Sequence, residues 1–362
     1  MAEVTSEYVR VNYEALTEYV TEIFVQLGVD RADALTTADV LVQADLRGVE
    51  SHGVQRLGRY VGRIKKGLID PRQKATVVNE TPATALVDGG NALGQPVGKL
   101  GMELCLRKAE EVGGAFVAVR NSNHYGIAGY YAMMALPHQM IGISFTNSRP
   151  LAVPTYGREV IIGTNPMSIA VPAENELPFV LDMATSVVPV GKIEVAARKG
   201  LSIPLGWAVD KSGQPATDPA AVLNGGGVLP LGGTPEFSGY KGYGLAVIVD
   251  ILCGILSGAA FGALVDAKKD GKDGPANVGH FFAALRVDAF RPLGDFKSAM
   301  DAMLHGLKAS AKAEGESRIF VAGEKEFERE REYRSNGIPL YYRVADEIRQ
   351  IGEDLGVVWK MG

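Results

Sequence analysis

The 362-residue sequence has few cysteines and no excess of positive charge. Its two cysteines, Cys105 and Cys253, lie in apolar stretches with no cysteine or histidine at metal-binding spacing, which favours buried thiols in a reducing compartment. Lysine and arginine number 37 against 42 aspartates and glutamates, so the net charge is −5. Because a general nucleic-acid binder needs a basic face, this balance argues against a nucleic-acid partner.

Segments that would direct the chain to a membrane are also missing. The most apolar stretch, residues 244–263, contains Asp250 and is interrupted by glycines, so we expect a buried helix there rather than a membrane span. Residues 1–7 (MAEVTSE) lack the basic and apolar regions of a signal peptide. We therefore expect a cytoplasmic protein without a membrane partner.

The common phosphate-binding and hydrolase motifs do not occur. Glycines follow the predicted strand Thr84–Asp88 at positions 89, 90, 94, 98 and 101, a spacing that differs from the G-x-G-x-x-G of Rossmann folds. The sequence has no G-x-x-x-x-G-K-[ST], no H-E-x-x-H and no G-x-S-x-G, which disfavours a metal site and a serine hydrolase. A dinucleotide, if one binds, requires another fold.

Hydrophobic periodicity divides the chain into two regions. Helical spacing over Tyr13–Lys66 predicts an N-terminal helical lobe in residues 1–78, which we expect to pack with residues 314–362. Residues 79–313 alternate between strand and helix patterns, which predicts an α/β region. This order predicts an α/β fold, a three-layer arrangement of a mixed sheet with helices on both faces. The predicted strands include Thr84–Asp88, Gly114–Arg120, Ile141–Thr146, Met167–Val171, Phe179–Asp182 and His280–Val287.

Two of the five histidines lie in dense polar loops. His52 stands between Ser51 and a glycine at a turn between predicted helices, and His124 follows Asn123. Hydride transfer from an alcohol needs a base with a pKa near neutrality, so these two imidazoles are acid/base candidates, although each is weak evidence alone. Arg56, one helical turn after His52, is either a carboxylate anchor or an ordinary surface arginine. A third histidine, His280, is expected in the core or beside a ligand.

Seven segments give the chain a resemblance to the malate/L-lactate dehydrogenase family, which stands apart from the Rossmann-type lactate and malate dehydrogenases. The family includes ureidoglycolate and sulfolactate dehydrogenases and diketogulonate reductase, and the likeness is greatest to its prokaryotic malate dehydrogenases. The segments follow the family order over nearly the whole chain. They are Asp45–Arg56, Asn121–Gly126, Thr146–Pro150, Gly163–Pro166, Leu181–Ser186, Lys241–Gly244 and Gly323–Lys325.

The resemblance implies a homodimer with a non-Rossmann NAD(P)-binding fold, with NAD favoured over NADP. It implies that residues 79–313 are the cofactor- and substrate-binding region, and it implies a role for each matching residue. His52 and His124 are the acid/base candidates, and Ser51 orients His52. The residues expected to bind the substrate are Arg56, Tyr60, Arg149 and Asn165. The residues expected to bind the cofactor are Ser148, Asp182, Met183, Ala184, Lys241, Gly242, Gly323, Glu324 and Lys325, with Lys192 a weaker candidate for the same cleft.

We therefore expect an enzyme that interconverts a small 2-hydroxy acid and its 2-oxo acid. A second guanidinium at Arg149 suits a dicarboxylate, so L-malate is the first expected substrate and L-lactate the second. Within the same family, the alternative is a reductase of another keto acid or of a cyclic imine carboxylate. Outside it, the alternatives are a non-catalytic metabolite-binding protein and a metal-dependent hydrolase.

Overall fold

The computed structural model describes residues 7–268 and 271–361. Most of the segment predicted to lack the features of a signal peptide, residues 1–6, therefore lies outside the described part. Its α-helices are α1 (Tyr13–Gln26), α2 (Arg31–Leu46), α3 (Leu57–Lys65), α4 (Gly94–Val112), α5 (Ala128–Met133), α6 (Val190–Lys199), α7 (Pro219–Leu223), α8 (Gly239–Asp250), α9 (Leu293–Ala309), α10 (Glu324–Asn336) and α11 (Tyr342–Glu353). Its strands are β1 (Tyr8–Val11), β2 (Thr76–Glu80), β3 (Thr84–Asp88), β4 (Gly114–Ser122), β5 (Met140–Thr146), β6 (Pro150–Ala152), β7 (Ile162–Gly163), β8 (Met167–Val171), β9 (Phe179–Met183), β10 (Ala208–Val209), β11 (Gly227–Val228), β12 (Val278–Arg286) and β13 (Ile338–Tyr341).

The two ends of the chain share one helical core. The side chains of Asn12 and Asp30 accept backbone hydrogen bonds at the first turns of α1 and α2, which fixes where both helices begin. Apolar residues of α1, α2 and α3 pack together with residues of β13 and α11 in one buried cluster. Strand β1 pairs antiparallel with β13, so the N-terminal and C-terminal segments are also joined by backbone hydrogen bonds.

A seven-stranded sheet forms the centre of the molecule, in the order β2-β3-β4-β12-β5-β8-β9. β3 and β4 pair in parallel, and every other neighbouring pair is antiparallel. β12 lies between β4 and β5, so these two strands run in the same direction without contacting each other through hydrogen bonds. The mixed sheet with a non-Rossmann strand order confirms the predicted fold class.

Helices cover the two faces of this sheet unequally. α4 and α5 pack on one face in a large apolar cluster, whereas α8 and the π-helical turn Ile251–Ile255 cover the other face through Val249 and Cys253. The prediction of a buried helix at residues 244–263 is wrong, because this helix contacts the sheet along one side alone. Large apolar side chains of this segment are exposed, namely Leu245, Ile248, Ile251, Ile255 and Leu256 along the helix and its end, and Phe261 and Leu264 in the turns after it.

In the described residues, no helix is long and apolar enough to span a membrane.

A second, four-stranded sheet in the order β10-β11-β6-β7 packs with α6 and α7 around its own small core. The sequence did not predict this sheet, because its strands have two or three residues and lie between glycines and prolines. Periodicity needs longer segments to produce a strand signal.

Candidate active site

The topology brings four of the matching segments to one edge of the central sheet. Three strands that run in the same direction, β3, β4 and β5, end at this edge. β8 is antiparallel to β5 and begins there, and β9 is antiparallel to β8 and ends there. The loops after β4 and β5 therefore lie side by side, next to the start of β12. The segment between α2 and α3 closes over this edge and encloses a cavity of about 140 Å³.

The Ser51-His52-Gly53 turn is held by a buried carboxylate. Residues Glu50–His52 form one 3-10 turn, and the Asp45 carboxylate accepts a 2.8 Å hydrogen bond from the Val54 amide behind it. A Cβ on Gly53 would lie 1.8 Å from Oδ1 of Asp45, so this position requires glycine. Burial raises the pKa of Asp45 well above its usual value. Asp45 thus fixes the backbone of the turn that carries His52.

The imidazoles of His52 and His124 face each other inside the cavity. Their ring centroids are 5.5 Å apart and the ring planes are inclined by 24°. Nδ1 of His52 lies 2.9 Å from the Ser51 hydroxyl, and Nδ1 of His124 lies 2.6 Å from the Tyr60 hydroxyl. Among the described residues neither Nε2 atom has a hydrogen-bond partner, so both remain available to a ligand.

Both imidazoles are neutral at pH 7. Burial lowers the pKa of His52 to about 4, and the positive charge of Arg56 acts in the same direction. Burial also lowers the pKa of His124 well below its usual value, followed by the charges of His52, Arg59 and Arg56. A neutral imidazole can accept a proton, so the resting site is prepared to remove one from a substrate hydroxyl.

The hydrogen bonds to His124 assign its tautomer. The Gly126 amide donates to Nδ1 of His124 at 3.3 Å, and an amide nitrogen can only donate. Nδ1 therefore carries a lone pair, the Tyr60 hydroxyl donates to it as well, and we assign the ring proton to Nε2. The Ser51 hydroxyl can donate or accept, so its bond to His52 is compatible with either tautomer.

Four arginines line the same cavity, namely Arg56, Arg59, Arg63 and Arg149. Arg56 donates from Nε to the Ser51 carbonyl at 2.6 Å, which leaves the two terminal nitrogens of its guanidinium free of protein hydrogen bonds in the described part. Glu194 and Asp266 are the acidic residues in the cavity lining. The site is consequently positive in a chain whose net charge is negative, as an anionic substrate requires.

The predicted substrate residues are placed differently from one another. Arg149 is exposed and lines the cavity, and Tyr60 contacts His124 as described. Asn165 is fully buried, with its side-chain oxygen bonded to the Ser148 amide and its nitrogen to the Ala246 carbonyl. Both of its polar groups are therefore occupied by protein, and Asn165 braces the Ser148–Arg149 segment.

The predicted cofactor residues fall into two groups. Gly242 and Gly323 are packed against backbone or side-chain atoms of Leu231 and Val180, and Glu324 is buried in ion pairs with Lys308 and Arg318. The second group carries polar groups that a ligand can reach. Ser148 lines the cavity, Asp182 accepts a bond from the Gly129 amide at the start of α5, and Lys241 and Lys325 are exposed. Met183 and Ala184 follow Asp182 and are partly buried, while the Lys192 ammonium lies 5.7 Å from the centroid of the Trp207 ring.

The chemistry of the second group fits a dinucleotide. The Asp182 carboxylate can accept hydrogen bonds from a ribose, the ammonium groups of Lys241 and Lys325 can pair with phosphates, and Ser148 reaches the cavity of the two histidines. In the described residues, no three histidine, cysteine or acidic side chains are grouped to hold a metal ion.

Four residues with a place in the site were not singled out from the sequence: Asp45, Arg59, Gln95 and Asp266. Gln95 is fully buried at the start of α4 and lies against the Tyr60 hydroxyl, and Asp266 enters the cavity from a loop more than 200 residues beyond α3. The spacing of Arg56 and Arg59, one turn apart on a helix, was the one local signal that indicates a shared face.

Comparison with known proteins identifies the family. The model of the malate/L-lactate dehydrogenase family matches residues 11–349. The chain belongs to this family. It is 48% identical to a malate dehydrogenase of Pyrococcus horikoshii over 355 residues, which cover 98% of each chain. It is 42% identical to the L-sulfolactate dehydrogenase of Methanocaldococcus jannaschii, covering 93% of this chain and 95% of the relative.

A more distant family member and a solved structure agree with this result. The ureidoglycolate dehydrogenase (NAD(+)) of Escherichia coli K12 is 33% identical over 94% of both chains. The solved structure of the malate dehydrogenase from Pyrococcus horikoshii superposes with a TM-score of 0.90 at 45% identity and covers 99% of each chain. These findings confirm the resemblance carried by the seven segments. The protein is an enzyme of the hydroxy acid dehydrogenase type, and its family indicates a nicotinamide cofactor.

Proposed function

We propose that this enzyme interconverts L-malate and oxaloacetate. The observation that carries the proposal is the pairing of two neutral imidazoles with several guanidinium groups in one small cavity. Arg56 binds the carboxylate next to the reacting carbon, because its free terminal nitrogens lie beside the Ser51-His52 turn. The names of the relatives from Pyrococcus support malate as the substrate.

The two histidines take different parts in the proton transfer. Nε2 of His52 removes the hydroxyl proton, while Nδ1 of His52 donates to the Ser51 hydroxyl, which keeps the ring in place. Nε2 of His124 donates a hydrogen bond to the same substrate oxygen and stabilises the charge that develops on it. A nicotinamide cofactor, when bound, accepts the hydride.

Arg149 supports malate over lactate, because this exposed residue lines the same cavity as Arg56 from a separate loop. The test is the ratio of kcat/KM for malate to that for lactate, followed by absorbance at the NADH band. The ratio should fall in Arg149→Ala, since the variant loses one charge-assisted hydrogen bond to the second carboxylate. An unchanged ratio would contradict the role of Arg149, and no activity on any hydroxy acid would contradict the proposed function.

NAD is the proposed cofactor, in preference to NADP. Support comes from the relative of Escherichia coli whose name specifies NAD(+). Ser148, Asp182, Lys241 and Lys325 are the groups proposed to contact it, with Met183, Ala184, Gly242 and Gly323 forming the surrounding backbone and Glu324 bracing its turn. Measurement of kcat/KM with both cofactors decides the preference, and a higher value with NADP would overturn it.

We further propose a homodimer in the cytoplasm. The exposed apolar side chains of α8 and of the turns that follow it support the dimer, since soluble monomers seldom expose so many large apolar side chains together. Both cysteines are free and buried, as suits a reducing compartment. Sedimentation velocity that shows a monomer at micromolar concentration, or fractionation that finds the protein outside the cytoplasm, would contradict the corresponding part.

A further inference from the structure

One wall of the active-site cavity carries more positive charge than a single carboxylate requires. Arg56 precedes α3, and Arg59 and Arg63 follow within it, so the three lie at i, i+3 and i+7 along one face. Arg149 reaches the same cavity from the loop after β5. Binding of the carboxylate beside the reacting carbon accounts for Arg56 alone.

Asp266, one of the two acidic residues in the cavity lining, pairs chiefly with Arg63. Asp266 lies 2.9 Å from Arg63, and Arg63 also donates to the Gly274 carbonyl at 3.1 Å. The distance from Asp266 to Arg59 is 3.5 Å, which is a marginal contact. Arg63 and Asp266 thus form the stronger pair, which holds the loop of Asp266, and Arg59 keeps only a long contact to the second oxygen of this carboxylate.

Arg59 therefore stands among positive neighbours. About one third of its side chain is exposed, 35%. Burial, and after it the charge of Arg149, hold the pKa of Arg59 below its usual value. Among the described residues Arg149 has no acidic partner. Two guanidiniums that repel each other and face one cavity would be stabilised by a second anionic group placed between them.

The spacing along α3 suits a short dianion. Arg56 and Arg59 are separated by three residues, which is about 4.5 Å along the axis of a helix. That separation matches two acidic groups joined through two carbon atoms, as in malate and in sulfolactate. Both compounds share the carboxylate and hydroxyl that Arg56 and the histidines address, and differ in the distal acidic group.

We propose that Arg59, together with Arg149, binds the distal acidic group of a dianionic 2-hydroxy acid and thereby determines the substrate class. The proposal rests on the proposed function and extends it to a residue on α3. A monocarboxylate such as lactate leaves Arg59 without a ligand, so the loss of Arg59 changes the use of dianions selectively.

The test measures kcat and KM of the full-length enzyme, at saturating cofactor, with L-malate, L-sulfolactate and L-lactate. Arg59→Gln should lower kcat/KM for the preferred dianion by about 10- to 100-fold, mainly through KM, because one charge-assisted hydrogen bond is lost. Activity on lactate should stay within about twofold, since that reaction does not use this contact. Lys65→Gln is the matched control, because Lys65 is exposed on the same helix and its substitution removes one positive charge as well.

The comparison of L-malate with L-sulfolactate shows whether the distal group is a carboxylate or a sulfonate. Arg59→Gln should cause the larger loss of kcat/KM for the dianion whose distal group Arg59 and Arg149 bind. Arg59→Lys keeps the positive charge but loses the planar guanidinium, so it should retain part of the preference for dianions over lactate. It also serves as the test variant if Arg59→Gln does not fold. Equal losses on all three substrates, or losses as large in Lys65→Gln, would overturn the proposal. A wild-type enzyme inactive on every hydroxy acid would instead reject the proposed function.

Discussion

The cavity histidines His52 and His124 and the core histidine His280 show how one residue type serves two purposes in one fold. His52 and His124 each have one ring nitrogen bonded to protein and one free in the cavity. His280 is fully buried in β12, with Nδ1 at 2.7 Å from the Thr146 hydroxyl and Nε2 at 2.8 Å from the Ser122 hydroxyl. Both polar atoms of His280 are therefore occupied, and it has none left for a substrate.

The hydrogen bonds of His280 connect the two loops that build the site. The Thr146 hydroxyl already donates to the Asn147 and Gly279 carbonyls, so it accepts from Nδ1–H of His280, and Ser122 donates to Nε2. The Tyr125 ring stacks on His280 with centroids 4.3 Å apart. The comparison teaches that an imidazole with two protein partners positions loops, whereas one with a free nitrogen can exchange a proton.

The largest effect is expected when a histidine with a free nitrogen is removed. His52→Ala and His124→Ala should each lower kcat by about 10²–10⁴-fold, because each loses a group that contacts the reacting oxygen. NADH binding, measured by fluorescence titration, should change far less. His305→Ala is the control, since His305 is exposed on α9. Near-normal turnover in either variant would remove that histidine from the mechanism.

A smaller effect, on stability rather than turnover, is expected for His280. Burial lowers its pKa to about 3, whereas an unfolded chain binds the proton at about 6.5. Between these values the unfolded state holds one more proton, so stability falls as the pH drops. His280→Gln, which keeps a donor and an acceptor, should reduce the loss of unfolding free energy between pH 7 and 5 by about 2 kcal/mol. Denaturant titration at both pH values measures it, and an unchanged pH dependence would show that His280 is not neutral in the native state.

A change of about tenfold in kcat is expected when the ring of His124 loses its support. Tyr60→Phe removes the hydroxyl that donates to Nδ1 of His124 and leaves the ring otherwise in place. Since the Gly126 amide still donates to the same atom, the tautomer is preserved and the loss stays moderate. Single-turnover measurement of hydride transfer checks the value, and a loss as large as that of His124→Ala would assign Tyr60 a direct part in catalysis.

The smallest expected effect is a flat pH profile. Because the pKa of His52 lies at about 4, kcat/KM for malate oxidation should change less than about twofold between roughly pH 5.5 and 7.5. Activity is lost as the pH falls through the pKa, since protonated His52 no longer accepts a proton. An inflection near pH 6.5 would show that the imidazole titrates with its ordinary pKa.

The sequence was informative where its signals are local. The strands Thr84–Asp88 and Met167–Val171 have the predicted bounds, and the other predicted strands of the central sheet are found with ends shifted by one or a few residues. Helix caps such as Asn12 and Asp30 also act between near neighbours. Within a segment, periodicity and capping depend on side chains a few positions apart, and these can be recognised without the tertiary structure.

Contacts between distant residues could not be predicted in this way. The bond from Tyr60 to His124 joins residues 64 positions apart, and that from His280 to Ser122 joins residues 158 positions apart. Family resemblance implied that the loops of His52 and His124 belong to one site, but it did not indicate which ring nitrogen is free. Arg59, the first arginine of α3, was missed, since its meaning depends on Asp266 pairing more closely with Arg63.

The place of β12 between β4 and β5 has a consequence for synthesis of the protein. Neither strand has its central partner until the ribosome has added residues 278–286, and the helical lobe lacks β13 and α11 until residues 338–353 have followed. During synthesis, one edge of β4 and one edge of β5 therefore stay unpaired until β12 has been made. Exposed strand edges of this kind favour aggregation. The sheet edge that carries the candidate active site is therefore completed only after β12 has been made.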